Sequence, residues 1–281
     1  MSKNISLDQM ELDGKTKPDT IVGEILRQNP EMPFPLPLDE LAQVAGIKEI
    51  AELRTEGFEG MLMTDAEKSS GVILVKANGN PQRKRFTIAH ELGHYLLPWH
   101  RQTKYSCTSE SIKDVGGDSR ASRLLEMEQE ANAFASELLM PTAVFRRLLQ
   151  QYGEPDLEQV QALSVHFDTS IQATAHRFLR LSDYPVAFVF SHNDTITYWT
   201  RGPEFPFRMR IRNGSPLPRE SLARGSGQGL AEMEALDGLT WLSDERDERL
   251  PDTILEQTLF QRDGYKVTML YVDDLPSDDD D

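Results

Sequence analysis

A single cysteine, Cys107, in 281 residues leaves no partner for an intramolecular disulfide, so a cross-linked scaffold is excluded. Apolar residues never gather into the run of about 18 that a membrane-spanning helix needs. The first residues also lack the basic-then-apolar layout of a secretion signal, so the chain reads as soluble and cytoplasmic, with no membrane partner. Basic residues are scarce, 30 Lys and Arg against 46 Asp and Glu, for a formal net charge of −16. That deficit argues against gripping a nucleic-acid backbone over a large surface and favours basic protein partners. Phosphate-loop spacings are missing as well: Arg224-Gly-Ser-Gly-Gln-Gly229 matches none of them and reads as a flexible loop. No internal repeat is evident.

What the chain does have is His90-Glu-Leu-Gly-His94. On a helix, residues four apart lie nearly on one face, so both imidazoles point to one place. Glu91, about 100° round, reaches a water there without becoming a ligand. Two histidines and an intervening carboxylate at this spacing are the ligands and general base of a zinc-dependent hydrolase. Pro81 lies upstream, Phe86 to Leu97 contains no proline, and Pro98 ends the run, which predicts a helix of about three turns. Ile88, Ala89, Leu92, Leu96 and Leu97 surround the motif, so that helix is expected to be buried on most sides. Two structural histidines are the bland alternative, but burying both beside Glu91 without a metal is costly.

A catalytic zinc takes a third protein ligand and keeps one position open. Ala121 to Met140, rich in Ala, Leu, Met and Glu and closed by Pro141, predicts a long helix. At about 100° per residue, Leu124, Glu128, Ala131, Ala135 and Leu138 share an apolar face, with Glu126, Glu130 and Glu137 opposite. Glu128 is then the acid on the buried stripe and the expected third ligand, with Asn132 one turn on to orient a ligand. A shifted helix phase would make Glu130 the next candidate. A tetrahedral oxyanion needs a stabiliser beside the metal, and Tyr95, His100 and Tyr105 are the candidates near the motif. A Cys107 thiolate on the metal would block the catalytic water and give a latent enzyme, although a small buried cysteine is the commoner role.

Arg85-Phe-Thr-Ile-Ala-His-Glu-Leu-Gly-His94, followed by Glu128-Gln-Glu-Ala-Asn-Ala-Phe-Ala-Ser-Glu-Leu-Leu-Met-Pro141, resembles the ImmA/IrrE family of bacterial and phage metallopeptidases. The likeness covers about residues 33 to 181, and Pro35-Leu-Pro-Leu-Asp-Glu-Leu-Ala-Gln-Val-Ala-Gly46 is similar to the family's N-terminal helix. It implies His90, His94 and Glu128 as ligands, Glu91 as base, and zinc as the ion, with manganese the alternative. It further implies a protein substrate, a helix-turn-helix repressor or antitoxin whose basic DNA-binding face suits an acidic partner. Cleaving it would switch on a stress regulon or a mobile element. The chain departs from many relatives at Pro98-Trp99-His100, where those run through leucines into another histidine.

The expected architecture is α+β. Residues 1–18 read as disordered, and 19–153 as a zincin-like, mainly helical metallopeptidase domain with a small β-sheet. Residues 154–184 read as a helix-turn-helix-like unit, 185–272 as a C-terminal α+β domain, and 273–281 as an acidic disordered tail. Within the first domain, Gly60–Thr64 and Gly71–Lys76 predict a hairpin around Asp65–Ser70. An edge strand near the zinc helix would align an extended peptide; a hairpin that merely covers the core is the alternative. Arg83-Lys84-Arg85 would bind an acidic segment or be simply solvated. Leu157 to Phe167 and Ile171 to Leu181 predict two helices. Either they pack through Leu163, Phe167, Phe178 and Leu181, or they contact DNA through His166, His176, Arg177 and Arg180. Further on, Val186–Phe190, Thr195–Trp199 and Lys266–Val272 predict strands, and Arg208-Met-Arg-Ile-Arg212 a half-exposed one. A sensory role for this last domain rests on analogy with relatives that carry a GAF-like domain. Two other functions compete with the peptidase: a non-catalytic regulator keeping the metal for structure, and a DNA-contacting factor using residues 157–181.

Overall fold

The computed structural model describes residues 5–55, 59–101, 104–107, 119–244 and 250–273, with backbone alone for 104–107 and 119–121. The expected tail from residue 274 on lies outside the described residues. The chain is mixed α+β and divides into two compact units. One is Met1–Thr142 with Val165–Ser170; the other is Ala143–Ser164 with Ile171–Asp281. This differs from the expected three-module division, since most of 154–184 groups with the C-terminal sheet instead of standing alone.

The first unit begins earlier than expected. Residues 5–18 are ordered: Ile5 and Leu12 are buried, and Asp8 caps a 3-10 turn, Gln9–Leu12, by accepting from the Met10 amide. Ser6 and Asn29 exchange hydrogen bonds that fasten the segment to the end of α1 (Pro18–Gln28). Two apolar side chains and a few caps suffice to order a stretch whose polarity suggested a loose end.

Next come α2 (Leu38–Val44), β1 (Ile47–Leu53), and the hairpin β2 (Gly60–Thr64) and β3 (Gly71–Lys76). The hairpin pairs as expected, Gly60 opposite Val75 and Thr64 opposite Gly71. Asp65 closes its turn by accepting from the Ser69 and Ser70 amides. Leu62, Ile73 and Val75 point into the core on alternate positions. β1 runs parallel to β3, and β4 (Lys104–Cys107) pairs antiparallel with β2, giving the order β1-β3-β2-β4.

Two helices carry the chemistry. α3 (Pro81–Leu96) starts a turn earlier than the apolar pattern implied, because Asn80 caps the Gln82 amide and Pro81 occupies the first turn. It ends where Leu97 turns extended before Pro98. α4 (Ser119–Leu139) buries Met127, Ala131, Phe134, Ala135 and Leu138. Leu124, expected on that stripe, is 41% exposed. The apolar face is thus centred on Ala131 and Phe134, and Glu128 sits on its flank. Two of the three residues in the basic run before the motif are committed within the unit, while Arg83 is exposed: Lys84 pairs with Glu52 at 2.7 Å, and Arg85 reaches Asp168 and the Leu36 carbonyl. Phe167, packed edge-on against Phe34, and Asp168, which also accepts from Gln82, explain why Val165–Ser170 belongs here.

α5 (Thr142–Leu149) and α6 (Leu157–Phe167) fall in the second unit except for Thr142 and for the last three residues of α6, and α7 (Ile171–Leu181) leads into an antiparallel sheet. Its strands are β5 (Val186–His192), β6 (Thr195–Arg201), β7 (Gly229–Leu230), β8 (Glu234–Asp237), β9 (Thr253–Phe260) and β10 (Tyr265–Tyr271). They run β6-β5-β10-β9-β7, with β8 also on β9. Asn193 and Asp194, both at positive φ, make the tight β5–β6 turn. Arg208–Arg212 alternates as expected, with Met209 and Ile211 buried and the arginines exposed. It forms only an isolated bridge, Met209 to Leu242, because its amides find partners such as the Trp241 carbonyl one residue at a time. The glycine loop is held too. Lys266 donates to the Ala223 and Gly225 carbonyls, and Gly227 lies against the Phe260 ring. Arg177 is 7% exposed and buried in α7, so it and Arg180 do not form the exposed basic pair a DNA-contacting surface would need.

Candidate metal centre

His90 and His94 project from one face of α3 with side chains 7% and 0% exposed, their Nε2 atoms 3.1 Å apart. Glu128 comes from α4, with Oε2 at 3.2 Å from His90 Nε2 and Oε1 at 3.4 Å from His94 Nε2. A tetrahedral ion with bonds of about 2.0–2.1 Å needs ligand atoms about 3.3–3.4 Å apart. The two nitrogens, 3.1 Å apart, and the two Glu128 oxygens, one on each nitrogen at 3.2 and 3.4 Å, stand close to that spacing, and two imidazoles with one carboxylate are a donor set that suits zinc. Among the described residues, His90, His94 and Glu128 are the group that could hold a metal ion.

The approach of the two helices sets this spacing. A Cβ at Gly93 would lie 3.0–3.1 Å from Phe134, so the glycine lets α4 close onto α3. One turn along α4 from Glu128, the Asn132 Oδ1 is 3.0 Å from His90 Nδ1. An amide oxygen only accepts, so the His90 proton resides on Nδ1 and the Nε2 lone pair faces the centre.

Burial is the largest influence on all three groups. It opposes a charge on His90, yet the Glu128 and Glu91 carboxylates outweigh it and shift His90 upward. His94 is pushed down to about 4, burial exceeding the help from Glu128. Burial also works against the Glu128 charge, but bonds to both imidazoles hold the carboxyl well below the usual range. The site is thus an anionic oxygen facing two buried nitrogens, a place where a cation can replace a shared proton.

Glu91 is fully buried beside the ligands. The backbone of β2 lies directly against it, for a Cβ on Gly60 would come within 2.6 Å of Glu91 Oε1. Tyr95 is not at the metal side. Its hydroxyl donates to the Lys68 carbonyl at 2.7 Å, and Lys68 donates in turn to the His94 and Leu97 carbonyls, which ties the hairpin turn to the end of α3. The oxyanion role weighed for Tyr95 therefore has no geometric basis. His100 lies behind His94, Nδ1 to Nδ1 at 2.9 Å, away from the Nε2 atoms. Burial pushes it down to about 3. Glu130, expected on the outer face, reaches His100 Nε2 at 3.3 Å instead of the ligand cluster. Tyr105 and Cys107 have their backbones in β4, opposite Leu62 and Gly60. Their side chains lie outside the described residues, and with them the latency idea. Gly60, Gly93, Phe134 and Lys68 went unnoticed in the sequence. Of these, Gly93 inside the motif carried a signal, since an interior helical glycine implies a close neighbour.

Residues 49–179 match the family model described as the IrrE N-terminal-like domain. Over these residues the chain is similar to the ImmA/IrrE family. Metallopeptidase ImmA of Bacillus subtilis is 25% identical over 151 residues, 53% of this chain and 80% of that protein. Radiation response metalloprotease IrrE of Deinococcus radiodurans is 26% identical over 118 residues, and that of Deinococcus deserti 28% over 118. Each match covers 42% of this chain, but only 33% and 39% of those longer relatives. A solved structure called a Mycobacterium tuberculosis transcriptional regulator shares the fold, with a TM-score of 0.55 at 16% identity over 90% of this chain and 75% of that one. The ImmA/IrrE match contains α3 and α4 whole, and so every residue of the metal centre. No helix among the described residues is long and apolar enough to cross a membrane.

Proposed function

We propose that this protein is a cytoplasmic zinc-dependent endopeptidase of the two-histidine, one-glutamate type. It cuts a regulatory protein, a helix-turn-helix repressor or an antitoxin, and so controls stress-response or mobile-element genes. One observation carries the reading: three side chains from two helices bring their donor atoms to 3.1–3.4 Å contacts, close to tetrahedral spacing, and a fully buried carboxylate stands beside them. The names of the ImmA and IrrE relatives, metallopeptidase and metalloprotease, support it.

His90, His94 and Glu128 would hold zinc, or manganese in its place, which when bound would supply a Lewis acid for a carbonyl and would lower the pKa of a water from about 15.7 toward about 7. Glu91 takes the proton of the attacking water and delivers it to the leaving amine. Its burial keeps competing solvent away from that proton. Asn132 holds His90 so that its Nε2 lone pair stays aimed. With a net charge of −16, the protein attracts the basic face of a DNA-binding substrate.

Zinc-loaded protein and its Glu91→Gln variant are incubated with candidate repressors and read by intact mass, with metal content measured in parallel. Wild type alone should cut, and both should hold one zinc. Cutting by the variant would sink the role of Glu91. Bound zinc with no cutting of any repressor or antitoxin would favour the non-catalytic regulator.

A further inference from the structure

We propose that His100 and Glu130 are positioning residues for His94, joined to it in a hydrogen-bonded chain, His94–His100–Glu130, that fixes which imidazole nitrogen faces the metal. The inference rests on the reading of His90, His94 and Glu128 as a metal centre.

The contact between His94 Nδ1 and His100 Nδ1, at 2.9 Å, joins two like atoms, and it is a hydrogen bond only if one of them carries a proton. The far side of the His94 ring decides which. Its Nε2 converges on His90 and Glu128 and must offer a lone pair to a cation. The His94 proton therefore sits on Nδ1 and is donated to His100 Nδ1. A neutral His100 then carries its own proton on Nε2, where Glu130 Oε2 accepts it at 3.3 Å. One placement of protons satisfies the whole chain, and it is the one that readies His94 as a ligand.

The rings are fixed mechanically as well as by hydrogen bonds. Both are fully buried, and the edge of Trp99 packs on His100 with ring centroids 4.5 Å apart. Leu97 leaves the helix extended, the His100 amide donates back to the Leu97 carbonyl, and Lys68 ties down the His94 and Leu97 carbonyls. The chain thereby turns back beneath α3 and lays His100 against His94. α4 supplies the terminal acceptor, as it supplies Asn132 for His90, so each metal histidine is oriented through its Nδ1 by a partner that α4 provides or anchors.

Zinc affinity is measured by chelator competition for the wild type, His100→Phe, His100→Asn and Glu130→Gln. Histidine tautomers are read by long-range proton–nitrogen NMR on the zinc-loaded wild type. His100→Phe should weaken zinc about 10- to 100-fold. His100→Asn, whose amide oxygen can stand where Nδ1 stood, should recover most of that loss, and Glu130→Gln should lose less than His100→Phe. The spectrum should show His94 protonated at Nδ1 and His100 at Nε2, a readout that holds even if a variant folds poorly. Unchanged affinity in His100→Phe, or a His100 protonated at Nδ1, overturns the chain while leaving the metal centre standing. A wild type that takes up no zinc overturns the metal reading, and the chain with it.

Discussion

Alanine at Gly60 tests whether β2 sets the working position of Glu91. Gly60 does not have a positive φ, so alanine imposes no backbone strain; the whole effect comes from its new methyl group. That methyl would lie 2.6 Å from Glu91 Oε1 and would also collide with Thr87 Cγ2. Ordinary contact is on the order of 3.5 Å, so the carboxyl has to move by roughly 1 Å. A misplacement of that size at a reacting group costs about 100-fold in rate, equivalent to about 2.7 kcal/mol in the barrier. The ligands are not touched by the new methyl, so zinc stoichiometry should stay at one. The assay is kcat on whichever substrate the wild type cuts and Glu91→Gln does not, with metal content and melting temperature measured on the same samples. Adding Thr87→Ser removes the second collision but not the first, and should leave the rate low. A Gly60→Ala enzyme that turns over at the wild-type rate would refute the idea that the strand backbone holds the base in place.

Gly93→Ala sets helix propensity against packing. Alanine gains about 1 kcal/mol inside a helix, whereas overpacking against the fully buried Phe134 costs about 1–3 kcal/mol. The net expectation is a lower melting temperature together with weaker zinc binding, because α4 carries Glu128 away as it yields. A more stable variant with unchanged zinc affinity would contradict this. Arg27→Gln probes the pair between an exposed arginine and the buried Glu24 in the first unit. Arg27 donates to both Glu24 oxygens, at 2.9 and 2.6 Å, and with Gln28 holds that carboxyl down at about 2, below its ordinary 4.5. A depressed acid stabilises the fold above the ordinary value, and this is lost as pH falls through about 2. The melting temperatures of variant and wild type should therefore differ at pH 7 and converge near pH 2; a gap that persists in acid would mean that Arg27 acts by some other contact.

Local signals fixed the helices well and the sheets unevenly. α6 and α7 fall at the expected residues, Leu157–Phe167 and Ile171–Leu181, because a helix closes its hydrogen bonds within itself. β1 was not anticipated. In Ile47-Lys-Glu-Ile-Ala-Glu-Leu53 the apolar residues recur at helical intervals, and only parallel pairing with β3, some two dozen residues on, makes it a strand. β9 escaped for a related reason. Glu256, Gln257 and Thr258 read as exposed polar residues, yet all three are buried. The groups that satisfy them, Ser221, Trp241, the Leu157 amide and Thr268, lie far away in sequence.

The same division runs through the metal centre. His90, Glu91 and His94 are legible because their relation is that of one helix turn, which spacing states outright. Glu128 was legible as the acid on an apolar stripe and, through the family resemblance, as the third ligand. Its arrival at 3.2 and 3.4 Å from the histidines depends on how closely α4 approaches α3, and Gly93 against Phe134 settles that approach. Sequence spacing separated Glu128 from Glu130 only through the chosen helix phase, and a phase misjudged by two residues, about 200°, would exchange their environments. The structure separates them by what each meets: Glu128 meets the two nitrogens aimed at the centre, and Glu130 meets the histidine behind one of them. A change at the interhelical contact should therefore weaken the fold and the metal affinity together. The backbone that lies against the Glu91 carboxyl belongs to β2, so a change at Gly60 should lower the rate with the metal affinity kept. The scaffold thus sets Glu128 against the two histidines, and Glu91 against β2, through two separate contacts.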